Sequence, residues 1–529
     1  MFLDGTPCLC SLLLMGALLG FSGCATIRTT VPRPVTYALP HPETTKIGRA
    51  LASQEARHPG QSGFHLLEFG REALIARIAL ADAAEKTIDA QYYIYDSDEA
   101  GSMLALSLIQ AADRGVRVRL LVDDSPLEDA KEIAALCAHP NIEVRVFNPF
   151  VFRERWLRPP LYAFDYHSAV HRMHNKIFLV DNEVAILGGR NIANHYFEIN
   201  TNSNFRDFDI MMAGRVSQQA SSAFDEYWNS SWAIPAVALI PQLPTQNDFN
   251  QVRAKLERTA KNITSFSVQY AQVRERYVES LQRDGDLLVW AKGEIIIDPP
   301  KKIKEANPLT SLVAERLNEE WAKAQKDIIV EVAYLIPGKD GLQRFRELRA
   351  RGVNVQVLTS SLDATDVPLV YSGYKRYRFH LLEAGVDLYE YKAHTGDVAR
   401  TERRWYRPKT SYAALHSKVL LFDHRKVWIG SFNLDPRSEK LNTEIALLVE
   451  SPQLSAQLAS YLAEDMKPAR SWHVQLEQPP ADEVWPRERV TWTGEMGGRI
   501  IKLSREPAGW TERVKMFFLS QLPGIESLL

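Results

Sequence analysis

Two stretches of this chain carry the same pattern of reactive side chains. Residues 174–191 read HNKIFLVDNEVAILGGRN, and residues 416–433 read HSKVLLFDHRKVWIGSFN. Each has a histidine, a lysine two positions on, an aspartate five further on, a Gly-Gly or Gly-Ser pair, and an asparagine after one intervening residue. The two histidines lie 242 positions apart (416 − 174). Six fixed positions recurring at that distance point to two copies of one fold in a single chain.

The flanking pattern agrees. In the first copy, Ala73 to Ala84 has helical spacing, Thr87–Tyr95 alternates like a strand, Met103 to Ala112 is helical, and Val116–Val122 and Ile142–Phe147 are strand-like. The order recurs with a strand at Ile328–Leu335, a helix over Gly341 to Ala350 and a strand at Val353–Leu358. Asp89 reads as the counterpart of Glu331, at an offset of 242 (331 − 89), and Gly115 as that of Gly352, at 237 (352 − 115). Alternating strands and helices give an α/β class. The chain of 529 residues is too long for one core. The reading is a first repeat at 48–240, an insertion or linker at 241–300, a second repeat at 301–470 and an extension at 471–529. The extension ends in an amphipathic stretch read as capping the core, with lipid contact as the alternative.

Within each motif, His174 and Lys176, like His416 and Lys418, are two apart at a strand edge and share a face. Asp181 and Asp423 fall at the following turn. Gly189 and Ser431 sit where backbone approaches a ligand, and Asn191 and Asn433 reach the same pocket. Two imidazoles supply a nucleophile and a proton donor, and two lysines stabilise an anionic transition state. That is the equipment for phosphodiester chemistry, and no metal or other cofactor is needed. The net charge of −2 gives no global basic field, so nucleic acid is not an expected partner.

The N terminus has an uncharged apolar run, CLCSLLLMGALLGF (8–21), then Ser22-Gly23-Cys24. This resembles a bacterial lipoprotein signal over 1–24, with Cys24 as the lipidated residue. The alternative is an uncleaved apolar N terminus. Residues 25–47, rich in Thr and Pro, read as a tether. The expected location is the bacterial cell envelope, at the outer membrane facing the periplasm in a Gram-negative host. Cys137 is the one thiol beyond Cys24 and reads as a core residue. Lys301-Lys302-Ile303-Lys304 reads as a solvated basic face.

The doubled His-x-Lys-x4-Asp resembles the phospholipase D superfamily over most of residues 64–470. Gln91–Tyr95, Gly189–Ile192, Gly430–Ser438 and Asn442-Thr443-Glu444 resemble bacterial cardiolipin synthases, most closely their C-type branch. The resemblance implies two tandem α/β/α sandwich domains about a pseudo-twofold axis, with one active site at their interface. It implies a phosphohistidine mechanism, with His174 as nucleophile and His416 as general acid and base. An acidic residue stands behind each histidine: Glu444, and Asp207 with Asp209 as the alternative. The implied substrates are phospholipids (phosphatidylglycerol, with phosphatidylethanolamine as a candidate donor), and a protein partner is left open. The implied reaction is phosphatidyl transfer, with hydrolysis to phosphatidic acid, nuclease activity and non-catalytic lipid binding as rivals.

Overall fold

The computed structural model describes residues 27–125, 127, 130–150, 170–200, 203–260, 287–303, 311–393, 412–477 and 489–520. Cys24 and the apolar N-terminal run lie outside them. In chain order the strands are β1 (Ser62–Leu67), β2 (Thr87–Tyr92), β3 (Arg117–Asp123), β4 (Ile142–Phe147), β5 (Ile177–Val180), β6 (Val184–Gly188), β7 (Ser203–Arg206), β8 (Asp209–Ala213), β9 (Ala233–Pro235) and β10 (Val289–Ile297). They continue with β11 (Asp327–Val332), β12 (Asn354–Ser360), β13 (Asp387–Tyr391), β14 (Tyr412–Leu415), β15 (Lys418–Phe422), β16 (Lys426–Gly430), β17 (Ile445–Glu450), β18 (Ser471–Glu477), β19 (Arg489–Met496) and β20 (Arg499–Leu503).

The repeat is visible in the pairing. A parallel block β2-β3-β4 in one half corresponds to β11-β12-β13 in the other. Next to each lies an antiparallel set, β5-β6-β8 and β15-β16-β17. β1 then pairs with β8 and β10 with β17, so β10 is the second half's counterpart of β1. β1 and β10 pair antiparallel with each other and join both halves into one 18-stranded sheet. The stretch 241–300, read as an insertion, therefore ends in a strand that holds the halves together. Each parallel crossover carries a helix, Glu99–Asp113 between β2 and β3 and Gly338–Ala350 between β11 and β12.

The register corrects one offset. Asp89 lies opposite Leu179, while Glu331 lies opposite Val419. Val419 is the counterpart of Ile177, and Ile177 faces Gln91. Glu331 therefore corresponds to Gln91, at an offset of 240 (331 − 91). The 237 offset holds: Gly115 and Gly352 both adopt positive φ, 94° and 82°, at the ends of equivalent helices, where a side chain would be strained.

Both faces of the sheet are buried, which is why the strands read as nearly unbroken apolar runs. One cluster fills each half (Leu74, Ile88, Val118 and Val144 in the first; Val313, Val330, Val355 and Tyr374 in the second). A third lies between them and mixes Leu179, Leu187 and Ile210 with Val419, Leu447 and Leu458. This shared core fixes one half against the other.

The flanks are less independent than their composition suggests. Within the predicted tether, Arg28 donates to Val237 O at 2.5 Å and the Ala38 amide to Asp225 Oδ2 at 2.8 Å. β18–β20 extend the second sheet from β13, and Trp472, Trp492 and Met516 are buried in that half's core. Lys302 is not solvated: it is buried and ion-paired to Asp298 at 2.7 Å. Cys137 is partly buried against the first core, and burial pushes its thiol up to about 12.

Candidate active site

Each histidine is positioned by the opposite half. The His174 amide donates to Thr443 O at 3.0 Å and the Thr443 amide to Arg172 O at 2.9 Å. On the other side of the pseudo-dyad, β14 runs parallel to β7, and the His416 amide donates to Arg206 O at 2.8 Å. These cross-connections set Glu444 against His174 and Asp207 against His416. His174 Nδ1 lies 3.0 and 3.1 Å from the two Glu444 oxygens, and His416 Nδ1 lies 2.7 Å from Asp207 Oδ2. Asp209, the alternative, instead pairs with Arg77 at 2.8 Å. A carboxylate at Nδ1 keeps the proton there and leaves Nε2 as the reactive nitrogen.

Lys176 immediately precedes β5 and Lys418 opens β15, and each ammonium turns back to donate to the carbonyl of its own histidine. Lys418 Nζ also lies 3.0 Å from His416 Nδ1. Both lysines and both histidines are buried. Burial, with the Lys176 and Lys418 cations adding to it, holds the His174 imidazole well below its ordinary range. His416 is lowered by burial and Lys418, but the Asp366 carboxylate opposes the shift. Burial lowers both lysines and raises both carboxylates, with Glu444 reaching about 7. Lys176 is among the cations acting on His416, and Lys418 among those acting on His174. The two half-motifs thus share one electrostatic site in which cations outnumber what the histidines alone require, an arrangement suited to an anionic transition state.

Aromatic rings hold the imidazoles. Tyr93 meets His174 edge-on at 5.3 Å, Tyr196 meets His416 edge-on at 5.0 Å, and Phe205 stacks on His416 at 5.1 Å. Tyr92 lies in the core, bound by Arg77 at 2.9 Å, while Tyr334 donates to Asp366 at 2.8 Å. Sequence reasoning missed Asp366, Tyr196 and Phe205. They lie outside the repeated motif, and only the crossing of β7 and β14 brings Phe205 to His416. His195 belongs to this ring cluster, 4.7 Å from Phe205, and His424 is exposed in its turn. Arg437 crosses the interface to donate to Val170 O at 3.2 Å.

Several residues grouped with the chemistry on sequence have other roles. Asp181 and Asp423 sit at the far ends of β5 and β15 from the histidines, with positive φ of 53° and 54° in tight hairpin turns. Asp181 accepts the amides of Glu85, Lys86 and Thr87 at 2.8–2.9 Å, and Asp423 those of Gln325, Lys326 and Asp327. Each fastens the hairpin to the start of the neighbouring parallel strand. Asp181→Ala leaves three amides without that acceptor. It should lower stability by about 2–4 kcal/mol in denaturant titrations while kcat of the folded fraction stays within a few-fold.

The Gly189 amide donates to Phe208 O at 3.1 Å and is therefore committed to the sheet. A Cβ at Gly189 would lie 2.2 Å from Asp207 Oδ1, so glycine makes room for the carboxylate behind His416. At the equivalent position Ser431 donates its hydroxyl to Glu444. Asn191 is also engaged, accepting the Ile94 amide at 3.1 Å and donating to Tyr196 Oη at 2.8 Å. Asn433 differs: its Oδ1 is buried with no hydrogen-bond partner among the described residues.

Comparison with known proteins bears on the family and the repeated fold. A family model described as "Cardiolipin synthase, PLD-like domain" matches residues 77–228 and 317–466. Cardiolipin synthase C of Escherichia coli (strain K12) is 35% identical over 495 residues, covering 92% of this chain and 100% of that protein. A Helicobacter pylori protein described only as uncharacterized is 33% identical over 491 residues, covering 92% of this chain and 93% of its own. Among solved structures, phosphatidylserine synthase of Haemophilus influenzae Rd KW20 superposes with a TM-score of 0.51 at 14% identity, covering 80% of this chain and 91% of that one. The likeness is one of fold.

Proposed function

Because this chain belongs to the cardiolipin synthase, phospholipase D-like domain family and is an enzyme of that superfamily, we propose that it is a phosphatidyltransferase joining two phospholipids. The observation that carries the mechanism is the pair of carboxylate-backed imidazoles, Glu444–His174 and Asp207–His416, in one lysine-lined site. His174 Nε2 attacks phosphorus, the bond to the headgroup oxygen breaks, and His416 protonates the departing alcohol. His416 then takes the proton from the headgroup hydroxyl of a second phospholipid, whose oxygen displaces His174. Two phosphatidylglycerols thereby give cardiolipin and glycerol. Lys176 and Lys418 stabilise the charge on the phosphoryl oxygens in both steps. Asn433 Oδ1, an acceptor without a partner among the described residues, is suited to a hydroxyl of the entering or leaving headgroup.

The division of roles rests on the surroundings. Cations crowd His174 and favour its neutral, nucleophilic form, whereas Asp366 favours the protonated form of His416. Sign and direction follow: with His416 lowered in the free enzyme, the productive protonation state is depleted as pH rises. We expect kcat/KM to fall about tenfold per pH unit above about 7, where the Glu444 carboxyl is ionised and His416 alone sets the slope, a decline that steady-state pH profiles will read. Anchoring at Cys24 would place the site at an envelope membrane.

A lipid product assay tests the function. Purified protein is given labelled phosphatidylglycerol in detergent micelles, with and without phosphatidylethanolamine. Cardiolipin with released glycerol is the expected product. Phosphatidic acid without cardiolipin would make the enzyme a hydrolase, and absence of any product would remove the lipid reading.

A further inference from the structure

The C-terminal helix Trp510–Ser520 lies beyond both stretches matched by the family model, and nothing in the catalytic scheme uses it. It is held from one side. Met516 is fully buried in the second core, and Arg376 of the helix Pro368–Glu383 donates to Ser520 O at 2.6 Å. The segment entering it is fixed by Glu506, which pairs with Arg378 at 2.7 Å and Lys375 at 2.9 Å. The other side is bare: Val514, Phe517 and Phe518 are 44%, 59% and 66% exposed. Their i, i+3, i+4 spacing puts them on one face, with the two rings 5.7 Å apart and edge-on.

Two adjacent exposed phenylalanines beside Val514 make a contiguous apolar patch, the kind of surface that marks an interaction site. One helical turn of apolar surface is far smaller than a stable protein interface requires. The charges around it select the occupant. Between residues 496 and 520, Arg499, Lys502, Arg505, Arg513 and Lys515 are exposed or partly so. Within that stretch Glu512 is the one exposed acid, since Glu506 is buried, and of the five cations Lys502 is paired outside it, to Glu477 at 3.0 Å. Aromatic side chains on an exposed helical face amid cations match the boundary between headgroups and acyl chains of an anionic bilayer. Among the described residues no helix is long and apolar enough to cross a membrane, so contact through them is lateral.

We infer that this helix docks the enzyme on an anionic phospholipid surface, with Val514, Phe517 and Phe518 inserted below the headgroups and Arg513 and Lys515 at phosphate level. The inference rests on the phospholipid reading above and adds where the protein meets the membrane. The helix Pro368–Glu383, which carries the docking helix, begins two residues after Asp366, so one rigid element connects the membrane face to the catalytic end of the second half.

The test is vesicle sedimentation of the full chain in a Cys24→Ala background, so that no acyl anchor contributes. Vesicles of phosphatidylcholine with phosphatidylglycerol are compared with phosphatidylcholine alone. The parent should bind the anionic vesicles at least tenfold more tightly, and Phe517→Ser with Phe518→Ser should lower that partition on the order of 100-fold. Turnover of micellar substrate by the double variant should stay near the parent's, which also verifies its fold. If the substitution unfolds the protein, Lys515→Glu, which leaves the apolar face intact, should still weaken binding to the anionic vesicles alone. Undiminished binding by the folded variants, or equal binding of the parent to both vesicle types, overturns the inference. If micellar turnover is absent from the parent itself, the functional reading fails while the sedimentation result still decides the docking face.

Discussion

His174→Ala reduces phosphodiester turnover by a factor of about 10⁴ or more, and the protein remains folded. The imidazole has no substitute: the Lys176 ammonium is turned back onto the His174 carbonyl. His416→Ala suffers a comparable loss on natural lipids, whose alkoxide leaving groups need a proton. On a substrate with a good leaving group its first step should recover by about 10²–10³-fold, because the acid is then dispensable. His174→Ala should show no such recovery. Pre-steady-state rates of leaving-group release with both substrates, alongside circular dichroism to verify folding, read the contrast. The fold should tolerate either change, since each ring packs against partly buried aromatic neighbours, Tyr93 beside His174 and Phe205 beside His416, and not inside a hydrophobic core.

The second large effect is at Glu444, a residue of the second half that serves the histidine of the first. Glu444→Gln preserves the shape but offers an amide where His174 Nδ1 needs a carboxylate acceptor. The imidazole is then free to take the other tautomer, with Nε2 protonated and unable to attack. A loss in kcat of roughly 10²–10⁴-fold follows, with KM changed little. The same substitution removes the negative charge beside Lys176 and weakens the bond from the Ser431 hydroxyl. Burial already raises the Glu444 carboxyl to about 7, so proton uptake there should mimic the variant as pH falls below that value. In the Gln variant this acidic decline should be absent. A merely structural residue would instead lose activity evenly at all pH values.

Much of this architecture is legible in the sequence, for identifiable reasons. Strands β3, β4 and β12 fall within one or two residues of their predicted spans because buried parallel strands are apolar on both faces and end abruptly in polar turns. The motif brings His174, Lys176, His416 and Lys418 together because each pair sits at the mouth of β5 or β15, where the two halves meet. Counting residues across the repeat fails where connections differ in length. A constant offset pairs Asp89 with Glu331, but the second half has two more residues between its first parallel strand and its histidine (416 − 328 against 174 − 88), and the register moves the match to Gln91. The acids behind the histidines are 237 apart (444 − 207), not 242, because the first half's longer connection from Asn191 to Asp207 holds β7.

The aspartates of the repeated motif were the more instructive difference. A conspicuous acidic residue in a reactive pattern invites a chemical role. Its position at the turn, with φ near 53°, makes it a clamp on backbone amides instead. Asp366, Phe205 and Tyr196 were invisible for the opposite reason: no local pattern marks them, and they reach His416 only through tertiary pairing.

The most direct test of one composite site with divided roles is a covalent trap. His416→Ala is mixed with the 4-nitrophenyl ester of phosphatidic acid, nitrophenolate release is followed, and the quenched protein is mapped by mass spectrometry. We predict a burst of one nitrophenolate per chain, then a stall, with the phosphatidyl group on the peptide that contains His174. A burst in His174→Ala with label on His416 would reverse the assignment. Full turnover by either variant with no covalent label would contradict the shared-site mechanism itself.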